Sequence, residues 1–295
     1  MRARDVLIAV LVAAAWGFTF VVIKVGLRDF PPLLFSALRF AVAALPLLWL
    51  WREGPPAPWR YVLGIGLALG VGMFSLLFIG IDVGLPAGLA SLIAQTQAFF
   101  TALLAALLLG DRPTPRQLAG MAVAAAGIWV IAEDIAGDLG SGGSLLGLVL
   151  VLGAALAWAV ANILTKQAGA GNALKLVIWT SAVSVLPLLL LSWIFEGGGR
   201  MVSSVLGMSW LGAGAVLFQA AIATLAAFGA WSQLLARYPA SLVAPFSLLV
   251  PVFGMSSTAL LLGETVSAAK LAGAALVMVG LAVTVTRPVR IGRRP

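Results

Sequence analysis

Two apolar stretches each carry a tryptophan eight residues before a lysine, a pattern that could form a binding surface for a small molecule. Trp16 precedes Lys24 in AWGFTFVVIKVG, and Trp158 precedes Lys166 in AWAVANILTKQAG. Residues four and eight apart lie along one side of a helix, so Phe20 joins Trp16 and Lys24 on one ridge. Each lysine lies near the C-terminal end of its helix and can act as a gate-side cation or snorkel to the interface; we favour snorkelling. The tryptophans lie at mid-helix, where they either line a cavity or pack between helices.

Amide side chains occur at the same depth. Asn162 lies one turn after Trp158, Gln219 lies in a later apolar stretch, and Gln95 and Gln97 lie two residues apart. A mid-membrane amide is costly without a partner, so these groups either bond to neighbouring helices or face a wet cavity. Gln95 and Gln97 point about 200° apart on a helix, so at most one faces the cavity directly. We select Gln95.

The sequence has few groups for catalysis. It contains no cysteine and no histidine, which excludes disulfides, thiolate metal sites and histidine proton shuttles. Its ten acidic residues all lie at or near the ends of predicted helices, so no carboxylate is available for a proton relay or a catalytic pair at mid-depth. It also has no GxxxxGK[ST] loop to hold ATP. We therefore expect no enzyme, cofactor or metal site, and transport by facilitated diffusion or exchange.

Composition gives the class of protein. With 62% hydrophobic residues, 9% charged residues and a mean hydropathy of +1.11, the chain is an all-α integral membrane protein. The apolar runs between loop signals predict ten transmembrane helices, at about residues 5–27, 32–52, 60–82, 85–109, 115–133, 145–167, 172–195, 208–235, 240–262 and 267–286.

The basic residues orient these helices. Most of the 18 lysines and arginines fall on one side when both termini are cytoplasmic, and the 133–143 loop on the other side carries acids without a basic residue. The net charge of +8 is therefore a membrane-orientation signal and not a nucleic-acid footprint. A cleaved signal peptide is the competing interpretation of residues 1–27, and the internal copy of that segment argues against it.

The internal copy divides the chain into a first half, 1–140, and a second half, 141–295. Trp16 and Trp158 correspond at an offset of 142, whereas Gly120 with Gly273 and Leu109-Gly110-Asp111 with Leu262-Gly263-Glu264 correspond at 153. Five helices per half is an odd number, so the second half enters the membrane from the opposite side. The result is an inverted repeat within one membrane domain, the architecture of alternating-access transporters.

Four prolines are candidate hinges or gates. Pro46 and Pro187 correspond between the halves, within LPLL in each case. Pro245 and Pro251 lie in the ninth predicted helix and lack an amide proton, so carbonyls four residues earlier, including that of Ser247, lose their helical partners. Such carbonyls commonly face substrate in transporters and could accept from an ammonium group.

Four segments carry a resemblance to a known family. WGFTFVVIKVGL (16–27), Leu-Arg-Phe at 38–40, LPAGLASLIAQTQAFFTALLAALLLGDR (85–112) and KLAGAALVMVGL (270–281) resemble EamA-type members of the drug/metabolite transporter superfamily, and particularly bacterial amino-acid and metabolite exporters. The resemblance implies a ten-helix carrier of the bacterial inner membrane. It also implies a central cavity lined by helices one, three, four, six, eight and nine.

Placed on this sequence, the resemblance predicts an aromatic and apolar cavity with a few amides and hydroxyls, suited to broad specificity for amino acids. The predicted lining residues are Trp16, Phe20, Ser75, Phe78, Gln95, Phe99, Trp158, Asn162, Gln219, Trp231 and Ser247. Arg39 is the most embedded cation and could either attract a carboxylate or snorkel to the outer surface. We expect a monomer or weak homodimer in the lipid bilayer.

Other function classes remain open. A multidrug-type carrier of lipophilic or quaternary cations, or a carrier of another metabolite in the same superfamily, is the alternative. The lack of a deep carboxylate counts against a cationic substrate. A membrane enzyme or a scaffold is less consistent with the sequence, because no catalytic set is present and a scaffold has no need of mid-depth amides.

Overall fold

The computed structural model describes residues 1–110, 113–137, 144–169, 171–238 and 240–285, and within these ranges it contains helices and no strand. The α-helices are α1 (Ala3–Gly26), α2 (Pro32–Ala44), α3 (Leu47–Leu50), α4 (Trp59–Ile65), α5 (Phe74–Asp82), α6 (Ala87–Ala94), α7 (Gln97–Leu109), α8 (Pro115–Gly137), α9 (Leu145–Ala168), α10 (Ala173–Ser192), α11 (Gly198–Leu206), α12 (Trp210–Leu217), α13 (Ala227–Arg237), α14 (Ala240–Val243), α15 (Leu249–Leu262) and α16 (Ala268–Val285).

Short segments of altered pitch extend or join several of these helices. Gly66–Met73, Trp193–Gly197 and Phe218–Ala226 are π-helical. Trp51–Glu53 and Ala244–Leu248 are 3₁₀-helical. Single-turn π distortions are frequently found at functional sites, which directs attention to the two longest of them, Gly66–Met73 and Phe218–Ala226.

The helices are long and apolar enough to make this a multi-pass membrane protein. Eight stretches within the described ranges can cross a membrane, or nine if Pro32–Ala44 and Leu47–Glu53 form one bent span; the stretch Ala268–Thr284 is apolar but shorter. Large apolar side chains such as Leu206, Trp210 and Leu260 are more than four-fifths exposed, as expected for a surface that contacts lipid. The predicted all-α membrane class is confirmed, and helical segments lie at each of the ten predicted positions.

The four candidate hinge prolines occupy different environments. Pro46 lies at the bend between α2 and α3, where the two helix axes differ by 45°. Pro187 lies inside α10, which continues through it. Pro245 occupies the first turn of the 3₁₀ segment Ala244–Leu248, and Pro251 is buried early in α15. A visible bend therefore accompanies Pro46, and the hinge roles of all four stay predictions.

Glycines bring α8 and α16 into close contact. A Cβ placed on Gly120 would lie 2.6 Å from the carbonyl oxygen of Gly280, and one on Gly127 would lie 2.6 Å from that of Gly273. Such close crossings of small residues are a common way for membrane helices to associate through van der Waals contact. The contact therefore needs glycine at these positions.

A second close crossing joins α1 to α15. A Cβ on Gly17 would lie 2.5 Å from that of Phe253 and 2.8 Å from the backbone nitrogen of Gly254. Gly254 in turn lies against Ser91 on α6, where an added Cβ would meet the Ser91 Cβ at 2.7 Å. Helices α1, α6 and α15 are thus packed closely together.

Two glutamates cap helices of the opposite half of the chain. The carboxylate of Glu264 accepts from the backbone N–H groups of Ala87 at 2.8 Å and Gly88 at 3.0 Å, at the start of α6. The carboxylate of Glu196 accepts from Leu33 at 2.7 Å and Leu34 at 3.0 Å, at the start of α2. Prolines precede both helix starts and supply no side-chain cap of their own, so the distant carboxylate satisfies the free N–H groups.

Candidate functional site

The π-helical segment Phe218–Ala226 is the centre of a buried polar cluster. The wider pitch of this segment is accompanied by a side-chain bond, because the hydroxyl of Thr224 donates to the carbonyl of Gln219 at 2.7 Å. The segment packs against both α1 and α2, so its backbone and side chains are available to residues of the first half of the chain.

On the side of α1, the segment holds Trp16. The indole Nε1 donates to the carbonyl of Ala223 at 3.0 Å, and the ring lies 5.2 Å from that of Phe228 and 5.3 Å from that of Trp231. The structure therefore brings together Trp16 and Trp231, which were both predicted to line the cavity. The hydrogen bond fixes the plane of the indole and leaves its faces to the aromatic neighbours.

Gln219 lies four residues before Ala223 in the same π-helical segment, on the side that faces α1. Its side chain is completely buried, and Nε2 makes a long hydrogen bond of 3.4 Å to the carbonyl of Thr19. Neither Oε1 of Gln219 nor the hydroxyl of Thr19 has a partner. A buried amide oxygen without a donor is uncommon in folded proteins, so Oε1 of Gln219 is an acceptor that the described residues leave unused.

On the side of α2, the segment holds Arg39, which is only 2% exposed. Its Nη2 donates to the hydroxyl of Thr224 at 2.6 Å, and its guanidinium carbon lies 3.9 Å from the ring centroid of Phe74 and 5.1 Å from that of Phe40. Nε and Nη1 have no hydrogen-bond partner. The side chain does not snorkel, and the first of the two sequence alternatives, attraction of a carboxylate, is the one that the geometry leaves open.

A second polar group joins α9 to α7. The Nδ2 of Asn162 donates to Oε1 of Gln97 at 2.6 Å and to the hydroxyl of Thr101 at 3.1 Å. The structure thus places Asn162 against Gln97 and not against Gln95, which is 7% exposed at the C-terminal end of α6. All three members of the Asn162 group are only half-buried, so a solute could reach them.

Phe99, Trp158 and Ser247 are three further predicted lining residues, and all three are half-buried. Phe99 and Trp158 are half-buried and pack on the hydrophobic core, on the same helices as Gln97 and Asn162. The hydroxyl of Ser247 donates to the carbonyl of Ala244 at 2.7 Å, which is a local bond within the 3₁₀ segment.

Three predicted lining residues are deeply buried instead. Phe78 is fully buried, with ring centroids of Phe35 and Phe74 at 5.1 Å and 5.9 Å. Phe20 is 6% exposed in the same core, and the hydroxyl of Ser75 is buried without a partner. In this conformation both side chains serve as packing, because Phe78 lies against two aromatic rings and Phe20 is enclosed in the hydrophobic core.

A groove of about 420 Å³ lies elsewhere, at the bend between α2 and α3. It is lined by Ala41, Ala44, Leu45, Leu47, Leu48 and Trp51, and none of the predicted residues contributes to it. Its lining side chains are apolar and offer no group to orient a metabolite. We assign it to the lipid-facing surface of the bend and not to the functional site.

Acidic residues of the described chain lie at helix ends. Asp5 accepts from the hydroxyl of Tyr238 at 2.7 Å, and Asp134 lies 3.2 Å from Nζ of Lys270. Lys24 reaches the carbonyl of Ile81 at 3.5 Å, near the end of its span. Outside the gaps in the described chain, no group of three acidic residues is arranged to hold a metal ion.

Comparison with known proteins identifies the class. The EamA-like transporter family matches residues 4–132 and 145–286. A "probable amino-acid metabolite efflux pump" of Salmonella typhimurium is 42% identical over 97% of this chain and 96% of its own length. The Escherichia coli protein of the same name is 40% identical with the same coverage. A solved structure titled "Crystal structure of protein", 20% identical, superimposes with a TM-score of 0.54 over 96% of both chains and supports the fold.

The chain belongs to the EamA-like transporter family, as the four sequence segments indicated. Together with its apolar helices, this makes it a multi-pass protein of the bacterial inner membrane.

Proposed function

We propose that the protein exports amino acids and related metabolites, with broad specificity, by alternating access. The observation that carries this proposal is the similarity of 40–42% identity along nearly the whole chain to two relatives named as amino-acid metabolite efflux pumps. The buried polar atoms around Phe218–Ala226 support it, because they could hold the polar ends of an amino acid while aromatic rings accept its side chain.

We propose ten membrane spans in two inverted halves, 1–140 and 141–295, with both termini cytoplasmic. The exchange of partners between α8 and α16 supports a two-fold relation: Gly120 contacts Gly280 and Gly127 contacts Gly273, and each glycine of α8 corresponds to one of α16 at an offset of 153. A two-fold axis produces such reciprocal contacts. The two ranges matched by the family model fall one in each half.

Further pairs agree with the same symmetry. Gly110 and Gly263 both end their helices in the left-handed conformation, with φ of 73° and 67°. The π-helical segments Gly66–Met73 and Phe218–Ala226 lie in the third predicted helix of each half. Asp111, which corresponds to Glu264, lies outside the described residues, as do five of the basic residues that orient the helices: Arg112, Arg287, Arg290, Arg293 and Arg294.

In this orientation three features lie on the outer side: the carboxylate of Glu264, the start of α6, and the connection between α15 and α16. The cap from Glu264 to Ala87 and Gly88, with the close packing of Gly17 and Gly254, supports a conformation closed on that side. The half-buried Asn162, Gln97 and Thr101 then lie toward the inner side, where a cytoplasmic substrate enters.

We propose that transport needs no proton coupling. The described membrane core offers no carboxylate that could bind and release a proton, because the acidic residues of the described ranges lie in loops or at or near helix ends: Asp5, Asp29, Glu53, Asp82, Glu133, Asp134, Glu196 and Glu264. Uptake into vesicles should be the same with and without an imposed pH gradient when substrate gradient and voltage are fixed. A rise with the pH gradient would contradict this mechanism.

Arg39 disfavours a carrier of lipophilic cations. Its guanidinium is buried and has no acidic partner within 4.0 Å among the described residues, so it repels a cationic substrate.

We propose no enzymatic activity, no cofactor and no nucleic-acid partner. We also propose a monomer or weak homodimer as the transporting unit.

Export can be tested in bacteria that are loaded with a leucine-containing dipeptide, which cytoplasmic peptidases convert to leucine. Cells that produce the protein should release leucine faster than cells with an empty vector. A Gln219→Ala variant at equal membrane level should release less, because its amide contacts α1 within the proposed site. Equal release from all three strains would refute the proposed function.

A further inference from the structure

Arg39 is the buried cation of the described chain for which the fold supplies no acid. Lys270, the other buried cation there, lies 3.2 Å from Asp134. Arg39 uses one N–H of five in its bond to Thr224, and Nε and Nη1 remain without partners. Burial of an unpaired charge is costly, and a ring face at 3.9 Å offsets only part of that cost.

Three hydroxyl groups on the helices that meet beside Arg39 also lack a hydrogen-bond partner. The hydroxyls of Ser36, Thr19 and Ser75 are buried without partners. Ser36 lies one turn before Arg39 on α2, Thr19 lies on α1, and Ser75 follows Phe74, whose ring covers the guanidinium. Helix α2 packs against α5 and against Phe218–Ala226, and α1 packs against both as well. The region thus offers several buried donors and lacks a carboxylate.

Arg39 also lies where the two halves of the chain meet. Phe74 directly follows the π-helical segment Gly66–Met73 of the first half, and Thr224 belongs to the segment Phe218–Ala226 of the second. A ligand that binds here contacts both halves at once. It would therefore be sensitive to their relative position, as a substrate of an alternating-access carrier must be.

We propose that Arg39 binds the carboxylate group of the transported amino acid, assisted by the unpaired hydroxyl group of Ser75, while Thr224, whose own proton is donated to Gln219, holds the guanidinium in place. This assignment rests on the proposed export of amino acids and names the part of the substrate that the site recognises. A single guanidinium matches a carboxylate in charge, and its planar donors suit the two carboxylate oxygens. The ammonium group would then face Gln219, whose unpaired Oε1 is an acceptor.

The test uses the purified full-length protein in proteoliposomes and measures counterflow of radiolabelled leucine. Two competitors are compared: leucinamide, which keeps the ammonium and loses the carboxylate charge, and 4-methylpentanoate, which keeps the carboxylate and loses the ammonium. For the wild-type protein, leucinamide should need a concentration about ten- to a hundredfold higher than leucine for half-inhibition, the range expected for loss of hydrogen bonds to a charged group.

The Arg39→Met variant should raise the leucine concentration for half-maximal counterflow by a similar factor and should abolish competition by 4-methylpentanoate, while competition by leucinamide changes less than threefold. Arg39→Lys, which keeps the charge, should restore part of the preference for carboxylates. Arg200→Met removes an exposed arginine and should leave all values unchanged. If Arg39→Met does not fold, the wild-type competition and the Arg39→Lys variant still decide the question.

Two failures are distinguishable. If the wild-type protein transports leucine but leucinamide competes as well as leucine, or if Arg39→Met weakens all competitors equally, the carboxylate site is refuted and amino-acid transport stands. If leucine, phenylalanine and methionine all fail to exchange, the proposed function itself is refuted.

Discussion

The contact between Glu264 and the start of α6 predicts that a single neutral substitution opens one side of the molecule. Glu264→Gln keeps one acceptor oxygen and replaces the other by an amide nitrogen, which faces a backbone N–H group and cannot accept from it. The variant therefore loses one of the bonds to Ala87 and Gly88, now at 2.8 and 3.0 Å, and loses the charge at the positive end of the helix dipole.

A hydrogen bond to a charged group contributes about 1.5–3 kcal/mol. Because Glu264 is only half-buried, solvent screening lowers the expected loss to about 1–2 kcal/mol. If the bond is present only when α6 and α15 are together, that loss corresponds to a five- to thirtyfold larger open fraction, at about 1.4 kcal/mol per factor of ten.

The absence of native cysteine makes the assay direct. Ser91 is fully buried where α6 meets Gly254 of α15, so a thiol introduced by Ser91→Cys is protected in the closed conformation. Its rate of reaction with a membrane-impermeant maleimide, added from the outer side, should increase five- to thirtyfold when Glu264→Gln is added.

Glu196→Gln is the matched control. It removes one bond from an equivalent cap, on Leu33 and Leu34 of α2, at a site away from the α6–α15 contact. Labelling at position 91 should not change in this variant. Equal labelling rates with and without Glu264→Gln, or equal increases in both variants, would refute the reasoning.

Three further predictions follow from the packing. The double variant Gln97→Leu/Asn162→Leu should remain folded, because interhelical bonds of this type contribute about 0.6 kcal/mol on average. It should lose most leucine uptake if these amides contact substrate. Unchanged uptake would show that they serve as helix contacts only. Trp16→Phe removes the bond to Ala223 but keeps an aromatic ring, so uptake should fall several-fold, whereas Trp129→Phe, at a residue 68% exposed, should leave uptake unaltered. Gly127→Ala should destabilise the protein by about 1–3 kcal/mol and so lower its melting temperature in detergent, since its Cβ would lie 2.6 Å from a carbonyl oxygen of α16.

Gly214→Ala provides the comparison for the glycine prediction. No neighbouring helix or side chain comes within 4 Å of a Cβ placed on Gly214, so alanine there should be neutral or slightly stabilising through its higher helix propensity. A stability loss of equal size in both glycine variants would show that the α8–α16 contact is not the cause.

Much of the fold follows from hydropathy. Every predicted helix coincides with a helical segment, because apolar runs of about twenty residues between polar turns have few other solutions in a membrane. Local pitch was not predictable: nothing in GLALGVGM or FQAAIATLA marks a π-helical segment, since the i→i+5 pattern depends on packing against neighbouring helices. The long-range caps by Glu196 and Glu264 were also missed, because they join residues more than 160 positions apart.

The candidate site was predictable in part. Trp16 and Trp231 were both predicted to line the cavity, and their rings lie 5.3 Å apart. The expectation that Asn162 needs a partner agrees with its bonds to Gln97 and Thr101. The depth of Arg39 was not resolved by the sequence, since seven residues from a helix start is compatible with either snorkelling or burial. Only the approach of Thr224 and Phe74 decides between them. The available signal was one arginine in the apolar run LLFSALRFAV.

The most direct test of amino-acid transport is counterflow with purified protein in sealed proteoliposomes, loaded with unlabelled leucine and free of ion gradients. Labelled leucine should accumulate transiently, saturate with concentration, and be displaced by phenylalanine and methionine, because exchange through a broad carrier requires only a substrate gradient. Accumulation no greater than in protein-free liposomes, across a panel of amino acids, would contradict the proposal that this protein carries them.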